Sequence, residues 1–471
     1  MFYLKRKIDA FLRDWKGRNH LPLLVKGARQ VGKTESIRQF GSANYKSFVY
    51  VNFVEQPKFK SIVKTGYDAE NVVREMTNLD AGLRFIPNKT LIVFDEIQEF
   101  PDIATTLKFF KLDGRYDVIM SGSLLGVHYK KIASLSVGYQ EDYEMRSMDF
   151  EEYLWARGRG DDFTEMIYSR MKTRTPFSDA ELLACGDYFR EYCILGGMPG
   201  VVSLFVEQGN YQGTQDRQRW IIDYYRADIR KYCEGLDQAR VVDVYDAVSG
   251  MLAKENKKFQ YSSVRHGGKA RDYAGCIQWL EDAGLIMRSY NMMFPELPIK
   301  GNLDKSTFKV YIPDTGLLLA SLDDETVLDF KMNRNMNTYR GGLVENMVAE
   351  AIAKAAKPLC YYKKPNSTLE MDFFLRTVDG LVPVEVKAKN EKAKSLATLI
   401  RSEHYGSISF GVKLIGGNVG FANGVLSIPH FCAFLLPRML SDSEQESQTP
   451  RLNFNTETQR ISEKASEMNL A

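Results

Sequence analysis

The eight residues with the clearest chemical meaning lie at positions 27–34 and read GARQVGKT. Their spacing matches the phosphate-binding loop G-x-x-x-x-G-K-[ST], whose backbone N–H groups surround an anion. In such a loop Lys33 reaches the outer phosphates and Thr34 offers its hydroxyl to Mg²⁺. The sequence therefore predicts that the whole loop contacts a nucleotide, through Gly27, Ala28, Arg29, Gln30, Val31, Gly32, Lys33 and Thr34.

A second chemical motif is the run TLIVFDE at positions 90–96, an apolar stretch that ends in two acids. Asp95 is placed to hold Mg²⁺, and Glu96 to polarise a water that attacks the nucleotide. Alone, the run is equally well explained as a buried strand with a polar end, but the phosphate loop favours the chemical interpretation. We predict ATP and Mg²⁺ as cofactors, with the catalytic residues Glu96 and Lys33 and the magnesium ligands Thr34 and Asp95.

These motifs need a sheet that brings the ends of several strands to one edge. Five apolar runs predict strands, at 21–25, 48–53, 91–94, 118–121 and 143–148. A helix-forming stretch, 33–40, follows the first run, and strands that alternate with helices predict a parallel sheet wrapped by helices. Ser121 ends the fourth run beside the expected terminal phosphate and is predicted to contact the nucleotide, with a plain strand-to-loop turn as the alternative.

Composition sets the broad class of the chain. Its 471 residues predict about three domains. A hydrophobic share of 44% and a charged share of 26% are typical of a soluble globular protein. No apolar run approaches the length of a membrane span, and the N-terminal stretch predicts an amphipathic helix rather than a signal peptide. The six cysteines are scattered, which predicts buried thiols in a reducing, cytoplasmic compartment: Cys185, Cys193, Cys233, Cys276, Cys360 and Cys432.

The middle of the chain predicts helices followed by a hairpin. Tyr273, Ile277 and Leu280 are spaced as one helix face, and strand-like runs follow at 285–290 and 308–312, which is the outline of a winged helix. Six basic residues precede or begin this helix, against one acid in the same stretch: Lys254, Lys257, Lys258, Arg265, Lys269 and Arg271. This stretch is a candidate phosphate-contacting face. A solvated helical surface remains the alternative.

A second candidate site lies in an α/β unit that begins near residue 341. The runs 369–377 and 381–388 predict two strands joined by a hairpin turn at Asp379-Gly380. That turn would place Asp372 opposite Lys387 and Phe374 opposite Glu385, so that Asp372, Glu385 and Lys387 share one face. Two carboxylates and a lysine suit metal-assisted phosphodiester cleavage, but a solvated face with a cross-strand ion pair explains them equally well.

Together these segments resemble the bacterial and archaeal predicted AAA+ ATPases that carry a C-terminal domain of unknown function. The matching segments, in chain order, are GARQVGKT, LIVFDEIQEFPD, VIMSGSLLG, MDFEEYL, ILGGMPGVV, GGLVENMVAE, MDFFL and VPVEVKA. The resemblance extends to about residue 437 and implies an α/β fold in three parts. These are a AAA+ P-loop ATPase domain (1–175), a helical and winged-helix region (176–325) and a PD-(D/E)XK nuclease-like α/β domain (326–437). A polar tail, 438–471, is predicted to be disordered.

The resemblance also assigns residues to the second site. It implies a metal at Asp372 and Glu385, assisted by Glu345 and Lys387. One position departs from the family, which often has a Lys or Arg where this chain has Tyr139, so a basic phosphate sensor is not expected there. The sequence does not choose among three candidate arginine fingers, which are Arg146, Arg157 and Arg159.

The predicted function is a cytoplasmic, Mg²⁺-dependent ATPase with a nuclease-like C-terminal domain that contacts DNA or RNA. The alternative is an ATP-driven signalling or scaffold switch with a protein partner and an inert nuclease fold. The acidic and lysine set favours the first, whereas the net charge of only +3 favours the second. No membrane contact is predicted, an oligomer is compatible with either function, and neither the substrate nor the oligomeric state follows from the sequence.

Overall fold

The computed structural model describes residues 3–124, 138–233, 235–252, 258–332, 334, 337–389, 391–406 and 408–448. Side chains at 337–339 and 443–448 are not described. Some predictions concern residues outside these ranges. These residues are the stretch that directly precedes Gly138 and Tyr139, the basic residues Lys254 and Lys257, and the last part of the predicted tail, 449–471.

The N-terminal region is a parallel five-stranded sheet with helices around it. Its elements are α1 (Lys7–Gly17), β1 (Leu23–Gly27), α2 (Lys33–Asn44), β2 (Ser47–Asn52), α3 (Ala69–Leu79), β3 (Thr90–Asp95), α4 (Thr106–Asp113), β4 (Asp117–Ser123) and β5 (Glu141–Glu144). The strand order is β2-β3-β4-β1-β5, and every pair is parallel. The predicted alternation of strands and helices is confirmed, although β5 ends earlier than the predicted run 143–148.

The middle region is helical and ends in a hairpin. Its elements are α5 (Phe150–Ala156), α6 (Asp161–Thr173), α7 (Asp179–Leu195), α8 (Pro199–Gln208), α9 (Thr214–Tyr232), α10 (Gln238–Leu252), α11 (Tyr261–Val264), α12 (Ala270–Asp282), β6 (Met287–Met292) and β7 (Leu303–Tyr311). Tyr273, Ile277 and Leu280 are buried on α12, as their spacing predicts. Strands β6 and β7 are antiparallel, so the predicted order of helices followed by a hairpin is confirmed.

The C-terminal region is a second α/β unit. Its elements are α13 (Thr315–Ala320), α14 (Asp324–Lys331), α15 (Asn337–Lys354), β8 (Cys360–Lys363), β9 (Glu370–Met371), β10 (Phe373–Thr377), β11 (Gly380–Val386), α16 (Lys394–Arg401), β12 (Gly411–Ile415), β13 (Gly420–Ala422), β14 (Val425–Pro429) and α17 (Leu436–Gln448). One sheet has the order β10-β11-β12-β14-β13, and another has β7-β6-β8-β9. Because β6 pairs with β8, the second sheet contains strands from both the middle and C-terminal regions.

The predicted register of the β10–β11 hairpin is wrong by two residues. Phe374 lies opposite Pro383 rather than Glu385, and Thr377 lies opposite Gly380. The turn therefore consists of Val378 and Asp379, and Gly380 is the first strand residue, with its carbonyl accepting a hydrogen bond from the Thr377 hydroxyl. Since side chains alternate with a period of two, the shift leaves the paired residues of β10 and β11 on their predicted faces, whereas Asp372 and Lys387 lie outside both strands.

The predicted disorder from residue 438 is wrong for the first part of that tail. Helix α17 continues to Gln448. Met439 and Leu440 are buried, and Arg438 pairs with Glu165 of α6 at 2.6 Å. The Arg438–Glu165 ion pair connects this helix to the middle region, an outcome that a polar composition alone did not indicate.

The structure also bears on the predictions for the cysteines and for membrane-spanning helices. All six cysteines are buried free thiols, as their scattered spacing predicts. Among the helices that the structure describes, none is both long enough and apolar enough to cross a membrane.

Candidate nucleotide-binding site

The phosphate loop joins the end of β1 to the start of α2, in the context that the sequence predicts. Gly32 has φ +97°, a left-handed conformation that favours glycine. A Cβ on Gly27 would lie 2.1 Å from the Met145 carbonyl oxygen at the end of β5, so only glycine fits there. Both glycines are therefore required by the geometry of the loop.

Lys33 lies inside the loop. Its ammonium donates hydrogen bonds to the carbonyl oxygens of Gly27 at 2.9 Å and Ala28 at 2.8 Å. Burial lowers the pKa of Lys33 to about 8, and the negative charges of Glu96 and Asp95 act in the opposite direction. The lysine charge is thus held at the centre of the loop, where it would meet an anion.

Thr34 and Asp95 meet at the foot of the loop. The Thr34 hydroxyl donates to Asp95 Oδ2 at 2.8 Å, and the Tyr50 hydroxyl donates to the same oxygen at 2.6 Å. The other oxygen, Oδ1, accepts from the backbone N–H of Glu96 at 2.9 Å. A hydroxyl and a carboxylate in contact are the oxygen ligands that Mg²⁺ prefers, so this donor set fits that ion.

Glu96 directly follows β3 in a left-handed conformation, with φ +56°. Its carboxylate accepts a hydrogen bond from the Gln98 side chain. Gln98 in turn accepts from the backbone N–H of Ser123 at 3.3 Å, which links Glu96 to the end of β4. The sequence prediction missed Gln98, although its position two residues after Glu96 was a usable signal.

Ser121 lies at the C-terminal end of β4, opposite Val25 of β1. Its hydroxyl is buried and has no hydrogen-bond partner among the described residues, and the same holds for the Ser123 hydroxyl. An unpartnered buried hydroxyl at this edge leaves a donor available to a ligand, which is consistent with the predicted contact of Ser121 with the nucleotide.

Arg6 connects the N-terminal segment to the phosphate loop, a role that the sequence prediction missed. It is 5% exposed, and its guanidinium donates to the carbonyl oxygens of Val31 and Arg146, both at 2.7 Å. It also pairs with Glu152 of α5 at 3.0 Å. Arg6, which precedes the sheet, and Glu152, which lies in the MDFEEYL segment after the sheet, therefore stabilise the phosphate loop.

Helix α9 contacts the loop through Arg29. The Arg29 guanidinium lies 2.8 Å from the Asp228 carboxylate and donates to the Tyr232 hydroxyl at 3.0 Å. Tyr232 in turn donates to Glu99 at 3.1 Å, just after β3. The middle region thus contacts both nucleotide motifs, and nothing in the sequence spacing indicated these pairings.

A cavity of about 320 Å³ opens beside the loop. Ala28 and Val31 of the loop, Met145 after β5, and Tyr225 and Tyr245 of the middle region are among its lining residues. Aromatic and aliphatic residues line part of it and suit a flat organic ring, and charged residues such as Glu144 and Arg146 line the rest.

The three arginines considered as arginine fingers all have partners in their own surroundings. Arg146 pairs with Glu144 at 2.9 Å, and Arg157 pairs with Glu191 at 2.6 Å. Arg159 donates to the Tyr188 hydroxyl at 2.8 Å. These contacts do not bring any of the three side chains to the phosphate loop.

The C-terminal acidic residues gather around a lysine that the sequence prediction did not consider. Lys309 of β7 is 2% exposed, and its ammonium lies 3.1 Å from Glu345, 2.9 Å from Glu370 and 3.6 Å from Asp372. Burial alone would lower the pKa of Lys309, but these carboxylates raise it well above its ordinary value. The lysine is therefore charged and lies between the acids.

Glu385 and Lys387 lie beside this cluster. Lys387 pairs with Glu385 at 2.8 Å, and Asp372 accepts a hydrogen bond from the backbone N–H of Val386 at 2.9 Å. Burial opposes the charge of Lys387, yet Glu385 and then Asp372 raise its pKa. Asp372, Glu385 and Lys387 therefore lie near one another. No group of three or more His, Cys, Asp or Glu residues with a metal-binding arrangement occurs in the part of the chain that the structure describes.

Comparison with known families covers the chain in three segments. Residues 19–154 match the sequence profile of a AAA domain, AAA_14. Residues 186–327 match a domain of unknown function, DUF8612, and residues 340–430 match another, DUF4143. No curated protein matches the chain.

Solved structures similar to the chain include a Walker-type ATPase and a DNA-bound ORC1 protein. The Walker-type ATPase PABY2304 of Pyrococcus abyssi is 15% identical, with 68% of this chain and 96% of that chain covered and a TM-score of 0.39. The ORC1 protein of Aeropyrum pernix, in complex with DNA, is 14% identical, with 70% and 93% covered and a TM-score of 0.29. The AAA-domain match, the parallel sheet and the phosphate loop together define the N-terminal region as a AAA-type P-loop domain.

Proposed function

We propose that this protein binds ATP with Mg²⁺ and hydrolyses it in its N-terminal domain. The observation that carries the proposal is the contact of Thr34 with Asp95, with Glu96 next in the chain and Lys33 in the loop above. Four groups needed for phosphate binding, metal binding and water activation are thus gathered at one edge of the sheet.

The residues would divide the reaction between them. Lys33 and the backbone N–H groups of the loop bind the outer phosphates, and Thr34 and Asp95 would hold Mg²⁺, which offsets phosphate charge when bound. Glu96 orients a water and accepts its proton as the water oxygen bonds to the terminal phosphorus. The bond to the bridging oxygen breaks, and its electron pair leaves with ADP. Ser121 would donate its hydroxyl to the terminal phosphate.

The cavity beside the loop is the proposed site for the adenine and ribose. It adjoins Ala28 and Val31, so a nucleotide with its phosphates on the loop would extend its base into it. Tyr225 and Tyr245 offer aromatic faces for the base.

Two variants test this function. Lys33→Ala should abolish nucleotide binding, because the phosphates lose their buried cation, whereas Glu96→Gln should bind ATP and not release phosphate. Titration with a fluorescent ATP analogue and a phosphate-release assay distinguish the two defects. The exposed residues Lys46 and Glu55 provide the controls Lys46→Ala and Glu55→Gln. Turnover by Glu96→Gln at the wild-type rate would remove Glu96 from its proposed role.

We also propose that the middle region contacts nucleic acid as a winged helix. Helices α10 to α12 precede the β6–β7 hairpin, and an isolated antiparallel bridge pairs Lys258 with Lys309 of β7. Four exposed basic residues lie together along this part of the chain, which are Lys258, Arg265, Lys269 and Arg271. Phosphate contacts make affinity fall steeply with salt, so titrating salt against DNA and RNA binding separates this proposal from a switch with a protein partner.

For the C-terminal region we propose the inert alternative over nuclease activity. Lys309 supplies, inside the cluster of Glu345, Glu370 and Asp372, the positive charge that a metal would otherwise supply. Purified protein with Mg²⁺ or Mn²⁺ should therefore leave DNA and RNA intact. Cleavage that is lost in Lys387→Ala, with ATPase activity retained, would establish a nuclease site instead.

A further inference from the structure

Arg29 carries the second positive charge of the phosphate loop and is held by one face of α9. Asp228 and Tyr232 contact its guanidinium, and the Tyr225 hydroxyl donates to its main-chain oxygen at 3.1 Å. Tyr225, Asp228 and Tyr232 are spaced by three and four residues, so they lie along one side of the helix. This side of α9 therefore contacts both the side chain and the main chain of Arg29.

The charges around the phosphate loop favour the binding of a strongly charged anion. Arg29 and Lys33 both belong to the phosphate loop, so the loop carries two positive charges. Asp228 offsets the charge of Arg29, but burial, together with the negative charge of Glu96, raises the pKa of Asp228 to about 6 although Arg29 acts in the opposite direction. A single, poorly solvated carboxylate is thus a weak partner compared with the terminal phosphate of a nucleoside triphosphate.

We propose that Arg29 leaves Asp228 when ATP binds and contacts the terminal phosphate, acting as an arginine finger supplied by the same chain. The inference rests on the proposed ATPase function and names the residue that stabilises the charge on the transferring phosphate. Asp228 is the positioning residue that holds Arg29 while the terminal phosphate is absent.

The geometry permits this exchange. Arg29 belongs to the phosphate loop itself, so its Cα would lie close to phosphates bound there, and its side chain is 34% exposed. A guanidinium can form two parallel hydrogen bonds to a phosphate. ADP lacks the terminal phosphate and would leave Arg29 on Asp228, so α9 would have different contacts in the ATP and ADP states.

The first test measures turnover. Arg29→Ala should lower kcat by about 1,000-fold or more, since arginine fingers contribute on that order or above. Arg29→Lys should recover part of the rate, because it restores a charge without the planar fork. Arg170→Ala is a matched control, since Arg170 is 33% exposed and pairs with Glu181 at 2.9 Å, far from the loop in sequence. A kcat for Arg29→Ala within about threefold of wild type would overturn the proposal.

The second test measures affinity and does not depend on turnover. Arg29→Ala should weaken binding of ATP, and of ADP with aluminium fluoride, while ADP affinity stays close to wild type. Asp228→Asn should instead strengthen ATP binding severalfold, because it releases Arg29. If both variants weaken ATP and ADP binding alike, the ion pair is only structural and the proposal fails. A wild-type protein without ATPase activity would overturn the proposed function, and this affinity test would still decide on Arg29.

Discussion

The ammonium of Lys309 lies 3.1 Å from the carboxylate of Glu345, and the two residues come from different sequence-defined domains. Lys309 belongs to the hairpin of the middle region, whereas Glu345 lies on the first long helix of the C-terminal region. Both side chains are nearly inaccessible to water. Their contact is therefore a buried ionic connection between the two regions.

Lys309→Met should destabilise the protein by about 3 kcal/mol, because removing one partner leaves buried carboxylates without their cation. Urea unfolding measures this loss. The matched control is Lys305→Met, an exposed lysine on the same strand, for which a change within about 0.5 kcal/mol is expected. Adding Glu345→Gln to Lys309→Met should recover part of the loss if the two charges are coupled. Additive losses would contradict the coupling.

Charge reversal should test the basic face of the middle region. Replacing Lys258, Arg265 and Arg271 by Glu should weaken binding to DNA of any sequence and flatten its dependence on salt, since phosphate contacts are lost. Fluorescence anisotropy at several salt concentrations gives both quantities. Arg18 and Arg115 are partly exposed basic residues of the N-terminal domain, and reversing them is the control. An unchanged salt slope in the first variant would make this face a solvated surface only.

His430 should make stability depend on pH. Burial lowers the pKa of His430 to about 4, and the nearby Arg340 cation acts in the same direction. The unfolded chain therefore takes up a proton before the folded chain does, so stability is retained above pH 6.5 and is lost as pH falls from 6.5 towards 4. We expect about 2 kcal/mol for this partly accessible ring.

Removing the imidazole isolates this effect. His430→Gln keeps a donor for the Lys387 carbonyl oxygen, which lies 2.8 Å from the histidine Nε2, and should flatten the pH dependence between 4 and 6.5. Urea unfolding across this range measures it, with the exposed His266→Gln as the control. If both variants keep the wild-type pH profile, protonation of His430 does not contribute.

Arg6→Ala should affect both stability and nucleotide binding. The substitution leaves Glu152 buried without its partner and frees the Val31 carbonyl oxygen, so a loss of about 3 kcal/mol and weaker ATP binding are expected. Thermal unfolding and ATP titration measure the two effects. Arg13→Ala removes an exposed arginine from α1, the helix that directly follows Arg6, and should change neither. Wild-type ATP affinity in Arg6→Ala would show that the loop keeps its shape without this contact.

The sequence predicted the N-terminal site well because its chemistry is local. A phosphate loop and a strand that ends in two acids have fixed positions relative to one sheet, and parallel strands bring their ends together. Lys33, Thr34, Asp95 and Glu96 therefore came together as predicted. The roles assigned to them remain predictions.

The remaining contacts depend on packing between segments that are distant in the chain. Arg6 reaches Glu152, Arg29 reaches Asp228, and Lys309 reaches Glu345, and no spacing rule connects such pairs. The prediction of the hairpin register was wrong for a different reason. Asp379-Gly380 is a favourable turn pair, but Gly380 is used as a strand residue here, and the turn moved by one position at each end.

The pairing of β6 with both β7 and β8 limits where the gene could be divided into separately folding parts. A gene fragment that ends near residue 325 would lose β8, and one that begins there would present β8 without its neighbour. Either fragment would expose an open sheet edge, which favours aggregation. Evolutionary shuffling of gene segments is therefore expected to keep the two segments together.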